Sequence, residues 1–426
     1  MRFNYQAFLS WGRVPSSRPG PIKSLAMTLV AAGLLALAGA ADASPDALSQ
    51  ALALPKAGLI AEEGGRVVIA KQADQPMVPA STMKILTALA AIQRWGLDHR
   101  FHTDFFRSPD GWLWAKGYGD PYLVSQELAS IAEALKQQGV RSVAGIGTDD
   151  SYFAPDVEIS GRSDSDNPYD APVTALAANF NTVSVVRSGD EVRSGEAQTP
   201  LTPLVRTLGA RLAPGENRVN LKEREYAARY FGELLAAKLE EAGIEVGQGL
   251  RNGRVPSQAE RIYRHHSSRD LRNVIAAMLK YSNNFIANEL FLLLGDRGDG
   301  QAMSMARAQG SAAAWVEKTF GWRGYRIEDG AGLSRGNRLS ARQLLEAVKS
   351  FAPYRDLLPQ HDGRILAKTG TLSGVSCYAG FVQRNGRWEP FSLLINQPVA
   401  HNFRLAVADA LARAPDLGRL CSDLFC

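Results

Sequence analysis

The run ILTALAAI, residues 85–92, is apolar on nearly every side of the helix that it predicts. Pro79 stands near the start of this helix and Gly96 just past its end, the places that these two residue types favour. A helix without a polar face has to lie in the middle of a domain. Any fold for this chain must therefore cover the helix with other elements on all sides.

The rest of the pattern predicts an α+β protein. Residues 59–70 predict two short strands around a Gly-Gly turn, and residues 154–172 predict a long loop rich in Ser, Asp, Gly and Pro. Further helices are predicted at 125–138, 222–242, 268–280, 283–294, 301–320, 340–350 and 402–413, and strands at 140–147, within 173–220, at 365–382 and at 388–396. Helices on one side of a few antiparallel strands form an α+β core.

The chain is too long for one ordinary domain, since it has 426 residues. Hydrophobic residues make up 45% and charged residues 21%, which is the balance of a soluble globular protein. Because the character of the sequence changes near residues 101 and 265, we predict an accessory α/β module over 101–265. This module is inserted into a domain formed by 44–100 and 266–426.

The first 43 residues have the parts of a secretory signal. Basic residues precede the apolar run LAMTLVAAGLLALAG, and ADA, residues 41–43, supplies the small residues of a cleavage site. The apolar run is short for a bilayer span, which disfavours the alternative of an uncleaved membrane anchor. We predict a signal peptide over 1–43 with cleavage near Ala43, export to the periplasm, and no transmembrane helix in the mature chain.

Charge, histidines and cysteines limit the classes of partner and cofactor. Removing the basic signal lowers the formal net charge of +5, and no basic stripe is interleaved with aromatics, so we predict no nucleic-acid binding. The six histidines lack metal-binding spacing, and we predict no metal and no cofactor. Cys377 is predicted to be a buried thiol on a strand. Cys421 and Cys426 either pair as a small disulfide loop or remain thiols.

Ser81 and Lys84 stand three residues apart at the start of the apolar helix, so the hydroxyl and the amine share one face and can touch. A lysine acts as a base only when it is neutral, and its ordinary pKa is about 10.4. Burial and a second cation both lower that pKa, and the free N–H groups of a helix start favour a developing anion. The alternative is that Ser81 is an ordinary helix cap, because S-x-x-K alone is a weak signal.

Two further segments favour the catalytic interpretation of Ser81. YSNN, residues 281–284, contains S-x-N, and AKTGTLSG, residues 367–374, contains K-T-G. S-x-x-K, S-D-N and K-T-G occur together in serine β-lactamases and penicillin-binding proteins. All three stand here in that order, with Asn283 in the place of the Asp.

Each residue of the first two motifs then has a predicted role. Ser81 is the nucleophile, Lys84 is its general base, and Ser282 relays a proton from Lys84 to the leaving amine. Asn284 holds an amide carbonyl of the substrate. The backbone N–H groups of Ser81 and Thr371 form the oxyanion hole.

The K-T-G segment is predicted to bind the substrate. Lys368 is the second cation that keeps Lys84 neutral, and it also binds a substrate carboxylate. Thr369 and Thr371 add hydroxyl donors. Gly370 leaves room for a substrate backbone to lie along the strand.

The sequence resembles the class C low-molecular-mass penicillin-binding proteins, the D-alanyl-D-alanine carboxypeptidase/endopeptidase family, across essentially the whole mature chain. Besides the three motifs, four segments carry the resemblance: GYGDPYL (117–123), DDSYFAP (149–155), NPYDAPVTAL (167–176) and EDGAGLSRGN (328–337). The resemblance implies a penicillin-recognising, transpeptidase-like domain, an antiparallel sheet with helices, that carries an inserted module between the first two motifs.

The resemblance also implies a substrate and an inhibitor class. The substrate is a peptidoglycan stem peptide, and β-lactam antibiotics are covalent inhibitors. By similarity, Asp149 or Asp150 together with Arg335 recognise the diaminopimelate side chain of that peptide. The alternative for Arg335 is a loop salt bridge.

The sequence thus predicts an exported serine D-alanyl-D-alanine carboxypeptidase, whose machinery is also suited to endopeptidase cleavage of cross-links. A serine β-lactamase is the first alternative, which the large insertion disfavours, as does the lack of a recognisable water-activating carboxylate loop. A catalytically idle wall-binding protein is the second, and the intact motif residues speak against it.

Overall fold

A computed structural model describes residues 45–414 and residue 417 of the chain. The predicted signal peptide, its cleavage site near Ala43, and both Cys421 and Cys426 lie outside the described residues. Within the described part, no helix is both long enough and apolar enough to cross a membrane.

The strands of the described chain lie within residues 57–270 and 360–395 and form four sheets. In chain order they are β1 (Ala57–Glu63), β2 (Arg66–Lys71), β3 (Arg100–Arg107), β4 (Leu113–Gly117), β5 (Ser142–Val143), β6 (Ile146–Asp149), β7 (Thr182–Ser188), β8 (Glu191–Ser194), β9 (Gly215–Asn220), β10 (Glu245–Val246), β11 (Leu250–Asn252), β12 (Glu260–Asp270), β13 (Gln360–His361), β14 (Ile365–Leu372), β15 (Val375–Arg384) and β16 (Arg387–Ile395).

The described residues also contain ten α-helices, of which α6 to α9 follow one another without an intervening strand. They are α1 (Pro45–Ala53), α2 (Met83–Trp95), α3 (Ser125–Gln137), α4 (Pro203–Gly209), α5 (Arg224–Glu241), α6 (Leu271–Tyr281), α7 (Asn284–Leu293), α8 (Met305–Phe320), α9 (Ala341–Ser350) and α10 (Phe403–Arg413). Antiparallel sheets combined with these helices confirm the predicted α+β class.

The largest sheet has the strand order β13–β14–β15–β16–β1–β2 and is antiparallel throughout. The prediction of one strand over 365–382 was wrong. A turn at Ser373 and Gly374, where Gly374 adopts a φ of +70°, folds this segment into the hairpin β14–β15. Cys377 lies on β15 opposite Gly370 and is fully buried, as predicted.

Helix α2 lies at the centre of the molecule, against β14 and the helices α6, α7 and α9. Every residue from Met83 to Ile92 is buried, which confirms that the apolar helix is covered on all sides. The helix ends at Trp95, and Gly96 follows with a φ of +78°. Its start differs from the prediction, because residues Ala80–Thr82 form a 3-10 turn ahead of α2.

The three smaller sheets belong to residues 100–270. They are a mixed sheet in the order β11–β6–β4–β3–β12, an antiparallel sheet β8–β7–β9, and the parallel pair β5–β10. Helices α3 and α5 pack against each other here and share an apolar core with residues such as Leu128 and Phe231. The predicted module at 101–265 falls within this region, and its boundaries stay a prediction.

Helix α6 begins later than predicted. The sequence pattern placed its start at residue 268, but β12 continues to Asp270 and the helix starts at Leu271. The Asp270 carboxylate caps this helix by accepting a hydrogen bond from the N–H of Asn273, at 2.9 Å. The strand therefore runs directly into the helix that leads to the S-x-N motif.

Candidate active site

Ser81 lies in the 3-10 turn that precedes α2, and its side chain is partly exposed. The residue before it, Ala80, adopts a positive φ of +47° and is fully buried. Such a conformation is strained for a residue with a Cβ and persists only when its surroundings enforce it. At neither the turn nor α2 does a side chain cap the N-terminus, so Ser81 does not serve as the helix cap.

Lys84 projects from the first turn of α2 towards Ser81. Its Nζ lies 3.0 Å from Ser81 Oγ, 2.7 Å from Asn284 Oδ1 and 2.8 Å from the carbonyl oxygen of Ala331. A neutral amine has two N–H donors and one lone pair. The two carbonyl oxygens take the donors, which leaves the lone pair to face the Ser81 hydroxyl.

The Lys84 side chain is completely buried. Burial lowers the pKa of Lys84 well below its ordinary value, and the charge of Lys368 lowers it further. The Asp329 carboxylate opposes both effects but does not reverse them. The surroundings therefore favour the neutral amine that a general base requires.

The loop after α8 holds the Ala331 carbonyl in place. The buried Asp329 carboxylate accepts hydrogen bonds from the backbone N–H groups of residues 331–334, at 2.7 to 3.1 Å. Gly332, with a φ of +77°, allows this loop to pack directly against the Ser81 turn. A Cβ at this position would lie only 1.8 Å from the Ala80 carbonyl oxygen. The sequence pointed to this segment only as EDGAGLSRGN and gave no sign that a backbone carbonyl would contact Lys84.

Strand β14 carries Lys368 to the same site, and this side chain is also fully buried. Its Nζ donates to the carbonyl oxygen of Thr369 at 2.7 Å. Burial lowers the pKa of Lys368 to about 7, and the charge of Arg404 contributes to that change. Lys368 therefore stands close to the point where it gains or loses its proton at neutral pH.

Gly370 allows β14 to lie directly against the Ser81 turn. A Cβ at this position would lie 2.8 Å from the Pro79 carbonyl oxygen and 3.1 Å from the Ser81 nitrogen, closer than side chains normally approach. Next to it, Thr371 Oγ1 accepts a hydrogen bond from Arg404 at 2.5 Å. Arg404 was not predicted from the sequence; it lies more than thirty residues further along the chain on α10.

The S-x-N segment joins α6 to α7 beside Lys84. Ser282 ends α6 in the left-handed conformation, with a φ of +53°, and Asn283 caps α7 by accepting from the N–H of Ile286 at 3.0 Å. Asn284 Oδ1 accepts from Lys84, while its Nδ2 donates to the carbonyl oxygen of Tyr169 at 3.2 Å. The Ser282 hydroxyl is not among the hydrogen-bond partners of Lys84 within the described residues.

Tyr169 belongs to the long loop predicted at 154–172, and its side chain is 54% exposed. A small hollow beside Asn284 is lined by Tyr169 and by Arg162 of the same loop, together with Leu333. The long loop at 154–172, which lies within the predicted module, thus borders the site directly. The sequence singled out NPYDAPVTAL without linking it to Asn284.

The two carboxylates predicted to contact the diaminopimelate side chain have different surroundings. Asp149 is buried on β6 and accepts from the N–H groups of Ser151 and Val255, both at 2.9 Å. Asp150 pairs with Arg224 at 2.8 Å. No hydrogen bond within the described residues links either carboxylate to Ser81, Lys84 or Lys368, and their role in substrate binding stays a prediction.

Arg335 lies beside the K-T-G strand. Its Nη2 donates to the carbonyl oxygen of Ser373 at 2.6 Å, just past the end of β14. No acidic partner of Arg335 occurs in the part of the chain that the structure describes, so the loop salt bridge considered as the alternative is not found there. Across residues 45–414, no three metal-ligating side chains converge either.

Comparison with known proteins agrees with this geometry. The D-Ala-D-Ala carboxypeptidase 3 (S13) family matches residues 46–205, 216–359 and 354–414. The chain is 27% identical to the D-alanyl-D-alanine carboxypeptidase of Actinomadura sp. (strain R39), over 82% of this chain and 78% of that protein. It is 25% identical to the D-alanyl-D-alanine carboxypeptidase DacB of Haemophilus influenzae, over 74% of this chain and 78% of that protein.

The fold matches a solved structure. Penicillin-binding protein 4 (dacB) from Haemophilus influenzae superposes with a TM-score of 0.69 at 22% identity, covering 89% of this chain and 99% of that chain. The predicted penicillin-binding protein fold and the resemblance stated from the motifs are both confirmed. Since the family match extends over nearly all of the described residues, the chain belongs to the D-Ala-D-Ala carboxypeptidase 3 (S13) family.

Proposed function

We propose that this chain is an exported serine D-Ala-D-Ala carboxypeptidase that acts on peptidoglycan stem peptides through an acyl-enzyme. One observation carries the proposal. The buried Lys84 amine faces Ser81 at 3.0 Å while its other contacts are carbonyl oxygens. Membership of the S13 family supports the reaction, and two relatives named D-alanyl-D-alanine carboxypeptidase support the substrate.

In the proposed acylation, Ser81 Oγ attacks the carbonyl carbon that precedes the terminal D-alanine, and its proton passes to Lys84 Nζ. The N–H groups of Ser81 and Thr371 stabilise the resulting oxyanion. The C–N bond then breaks, and the proton on Lys84 moves to the leaving nitrogen with Ser282 as the relay. The positions of Gly370 against Ser81 N and of Asn284 against Lys84 support this assignment.

In deacylation, water attacks the ester carbonyl and gives one proton to Lys84. The ester C–O bond breaks as Lys84 passes that proton to Ser81 Oγ. The new carboxylic acid releases its remaining proton to solvent, and the shortened peptide leaves as a carboxylate. No cofactor enters either step. Lys84 is the base in both acylation and deacylation, so both steps require its neutral form.

We assign the terminal carboxylate of the substrate to Lys368 and to the hydroxyls of Thr369 and Thr371. The burial of Lys368 supports this role, because an anion that reaches a buried ammonium is held strongly. Asn284 Nδ2 exchanges the Tyr169 carbonyl for an amide carbonyl of the stem peptide. Arg335, next to Ser373, is placed to meet the side chain of that peptide.

We extend β-lactam binding to this chain on the same grounds. Penicillin-binding protein 4 from Haemophilus influenzae has been solved in complex with a β-lactam, and that structure superposes on this chain with a TM-score of 0.65. A β-lactam carbonyl placed between Ser81 and the oxyanion donors would acylate Ser81. The proposal also includes export to the periplasm, supported by the signal-like residues 1–43, and an accessory module at 101–265.

The first test labels the purified mature chain with a fluorescent penicillin. We expect covalent label on the wild type, none on Ser81→Ala, and full label on the control Ser130→Ala, which changes an exposed serine on α3. Incubation with a pentapeptide muropeptide should release one D-alanine, read as a mass loss, and Ser81→Ala should abolish it.

Other outcomes separate the alternatives. Steady hydrolysis of the β-lactam with no accumulated label would favour a β-lactamase. Muropeptide binding without any release of D-alanine would favour an idle wall-binding protein.

A further inference from the structure

Arg404 reaches from α10 into the K-T-G strand. Its side chain is only 7% exposed, and its Nη1 donates both to the Gly370 carbonyl oxygen at 2.9 Å and to Thr371 Oγ1 at 2.5 Å. Its Nε is buried without a hydrogen-bond partner among the described residues. A buried guanidinium with an unsatisfied donor is unfavourable for folding, so stability alone does not account for this arrangement.

The contact with Gly370 controls the proposed oxyanion hole. The Gly370 carbonyl and the Thr371 N–H are the two ends of one planar peptide group. A hydrogen bond that fixes the carbonyl therefore fixes the direction of the N–H. Because the donor is charged, it also polarises the peptide and strengthens the N–H as a donor.

The contact with Thr371 controls its hydroxyl. A hydroxyl has one hydrogen and two lone pairs. Since Arg404 occupies a lone pair of Thr371 Oγ1, the hydrogen of that hydroxyl is free to point elsewhere. The proposed substrate carboxylate is an acceptor at that place.

The charges around Lys368 agree with this role. Arg404 faces it from α10 and Lys84 from α2, both cationic when protonated. Cys377 and Tyr378 approach Arg404 from β15, and burial raises the pKa of each to about 12, so neither supplies a negative charge at neutral pH. In the described residues Arg404 has no acidic partner, whereas the Asp329 carboxylate acts on Lys84. An incoming carboxylate would be the anion that Arg404 and Lys368 lack.

We propose that Arg404 is a positioning residue for the acyl-transfer reaction: it aims the Thr371 N–H at the oxyanion and the Thr371 hydroxyl at the terminal carboxylate of the substrate. The inference rests on the proposed function of the site. Arg404 itself acts through Thr371 and does not contact the reacting atoms.

The test measures kcat/KM for acylation by a fluorescent penicillin, over a range of pH, in Arg404→Met and Arg404→Lys. We expect Arg404→Met to lose about 10- to 100-fold, below the loss for deleting an oxyanion donor outright. The alkaline limb of its pH–rate profile should move to higher pH, because the pKa of Lys368 is no longer lowered by the charge of Arg404. Arg404→Lys should keep the alkaline limb near that of the wild type while recovering only part of the rate.

Two further variants separate positioning from a general loss of structure. Arg413→Met changes an exposed arginine on the same helix and should leave both rate and pH profile unchanged. Thr371→Val removes the hydroxyl, and the double variant with Arg404→Met should lose less than the product of the two single losses.

The outcomes are distinguishable. The inference would be overturned if Arg404→Met were acylated at the wild-type rate and its pH–rate profile kept the wild-type alkaline limb. It would also be overturned if the loss of rate in the double variant equalled the product of the losses in Arg404→Met and Thr371→Val. A wild-type chain that takes no label at Ser81 would instead overturn the proposed function.

Discussion

The site contains two lysines, and the proposed reaction requires them in different protonation states. In the proposed mechanism, Lys84 must be neutral to accept the Ser81 proton, whereas Lys368 must be charged to hold a carboxylate. Burial lowers the pKa of both, but Lys84 has the charge of Lys368 beside it and Lys368 has that of Arg404. Burial and the row of cations Arg404, Lys368 and Lys84, which runs from α10 to α2, therefore determine the protonation states of both lysines together.

This arrangement predicts the pH dependence of acylation. The value of kcat/KM should rise as Lys84 loses its proton and then fall as the pH passes about 7, where Lys368 in the free enzyme loses its own. A bound carboxylate favours the charged form of Lys368, so the fall in kcat should come at higher pH than the fall in kcat/KM.

Stopped-flow acylation of wild type, Lys368→Arg and Lys349→Arg checks this prediction. Lys368→Arg keeps a charge at all accessible pH values and should lose the alkaline limb, whereas Lys349→Arg, an exposed control, should retain it. An alkaline limb that survives unchanged in Lys368→Arg would contradict the assignment.

Sequence reasoning identified site residues in two ways: from local spacing, and from the set of three motifs, which pointed to the remote residues Asn284 and Lys368. Ser81 and Lys84 are three apart on a helix, and their contact at 3.0 Å is what that spacing predicts. The Ala331 carbonyl and Arg404 were missed for a physical reason. A backbone carbonyl has no residue-type signature, and a lone arginine on an amphipathic helix normally faces solvent.

The close approach of strand β14 to the Ser81 turn depends on the missing side chain of Gly370. We predict that Gly370→Ala lowers acylation by about 10²-fold or more, since displacing a reacting group by about 1 Å has this effect. The cause is the Cβ, which would lie 2.8 Å from the Pro79 carbonyl oxygen and 3.1 Å from Ser81 N.

Gly310→Ala is the matched control for this change. Gly310 lies within α8, where an added Cβ meets only the end of the flexible Arg297 side chain, at 3.7 Å. This variant should unfold at the same temperature or slightly higher and keep full activity. If penicillin labelled Gly370→Ala as fast as the wild type, the prediction would be contradicted, because acylation would not require β14 to lie so close to the Ser81 turn.

The sequence pattern misjudged two kinds of element: those whose boundaries depend on a turn or a pairing partner, and one helix whose start signal was overlooked. Residues 365–382 form two strands because the positive φ of Gly374 reverses the chain. Helix α4 was absent from the prediction, although Thr202 caps it and Pro203 opens it. That Thr-Pro signal was readable. Strand β12 was not, because its alternation is weak and its partner β3 lies far away in sequence.

Two buried carboxyl groups lie where residues 100–270 contact α7. Asp120 follows the turn at Gly119, where a Cβ would lie 3.1 Å from Glu289 Oε2 of α7. Burial raises the pKa of Asp120 to about 6, and burial together with the nearby Asp120 raises that of Glu289 well above its ordinary value. Both Glu289 oxygens lack a hydrogen-bond partner within the described residues.

These groups predict how the stability of the whole chain depends on pH. Because their pKa values are higher in the folded than in the unfolded state, the folded state binds more protons, and stability falls as pH rises. For Asp120 the loss runs from the ordinary carboxyl range to about pH 6, and Glu289 extends it to higher pH.

Glu289→Gln removes one of these titrations. The free energy of unfolding of this variant should fall less steeply with pH, and above neutral pH it should exceed that of the wild type by about 1 to 3 kcal/mol. Urea unfolding at several pH values measures both quantities. The control Glu317→Gln changes an exposed residue on α8 and should follow the wild type, and an equal slope for both variants would refute the prediction.

Strand β1, at residues 57–63, pairs with β16, at residues 387–395, in the middle of the largest sheet. When a ribosome has synthesised β1 and Ser81, the partner strand β16 is still some three hundred residues further along the chain. Residues 100–270 can complete their own strand pairing earlier in synthesis. Truncated products that end before β16 would carry Ser81 and Lys84 without the framework that brings them to Lys368, so incomplete chains should not react with penicillin.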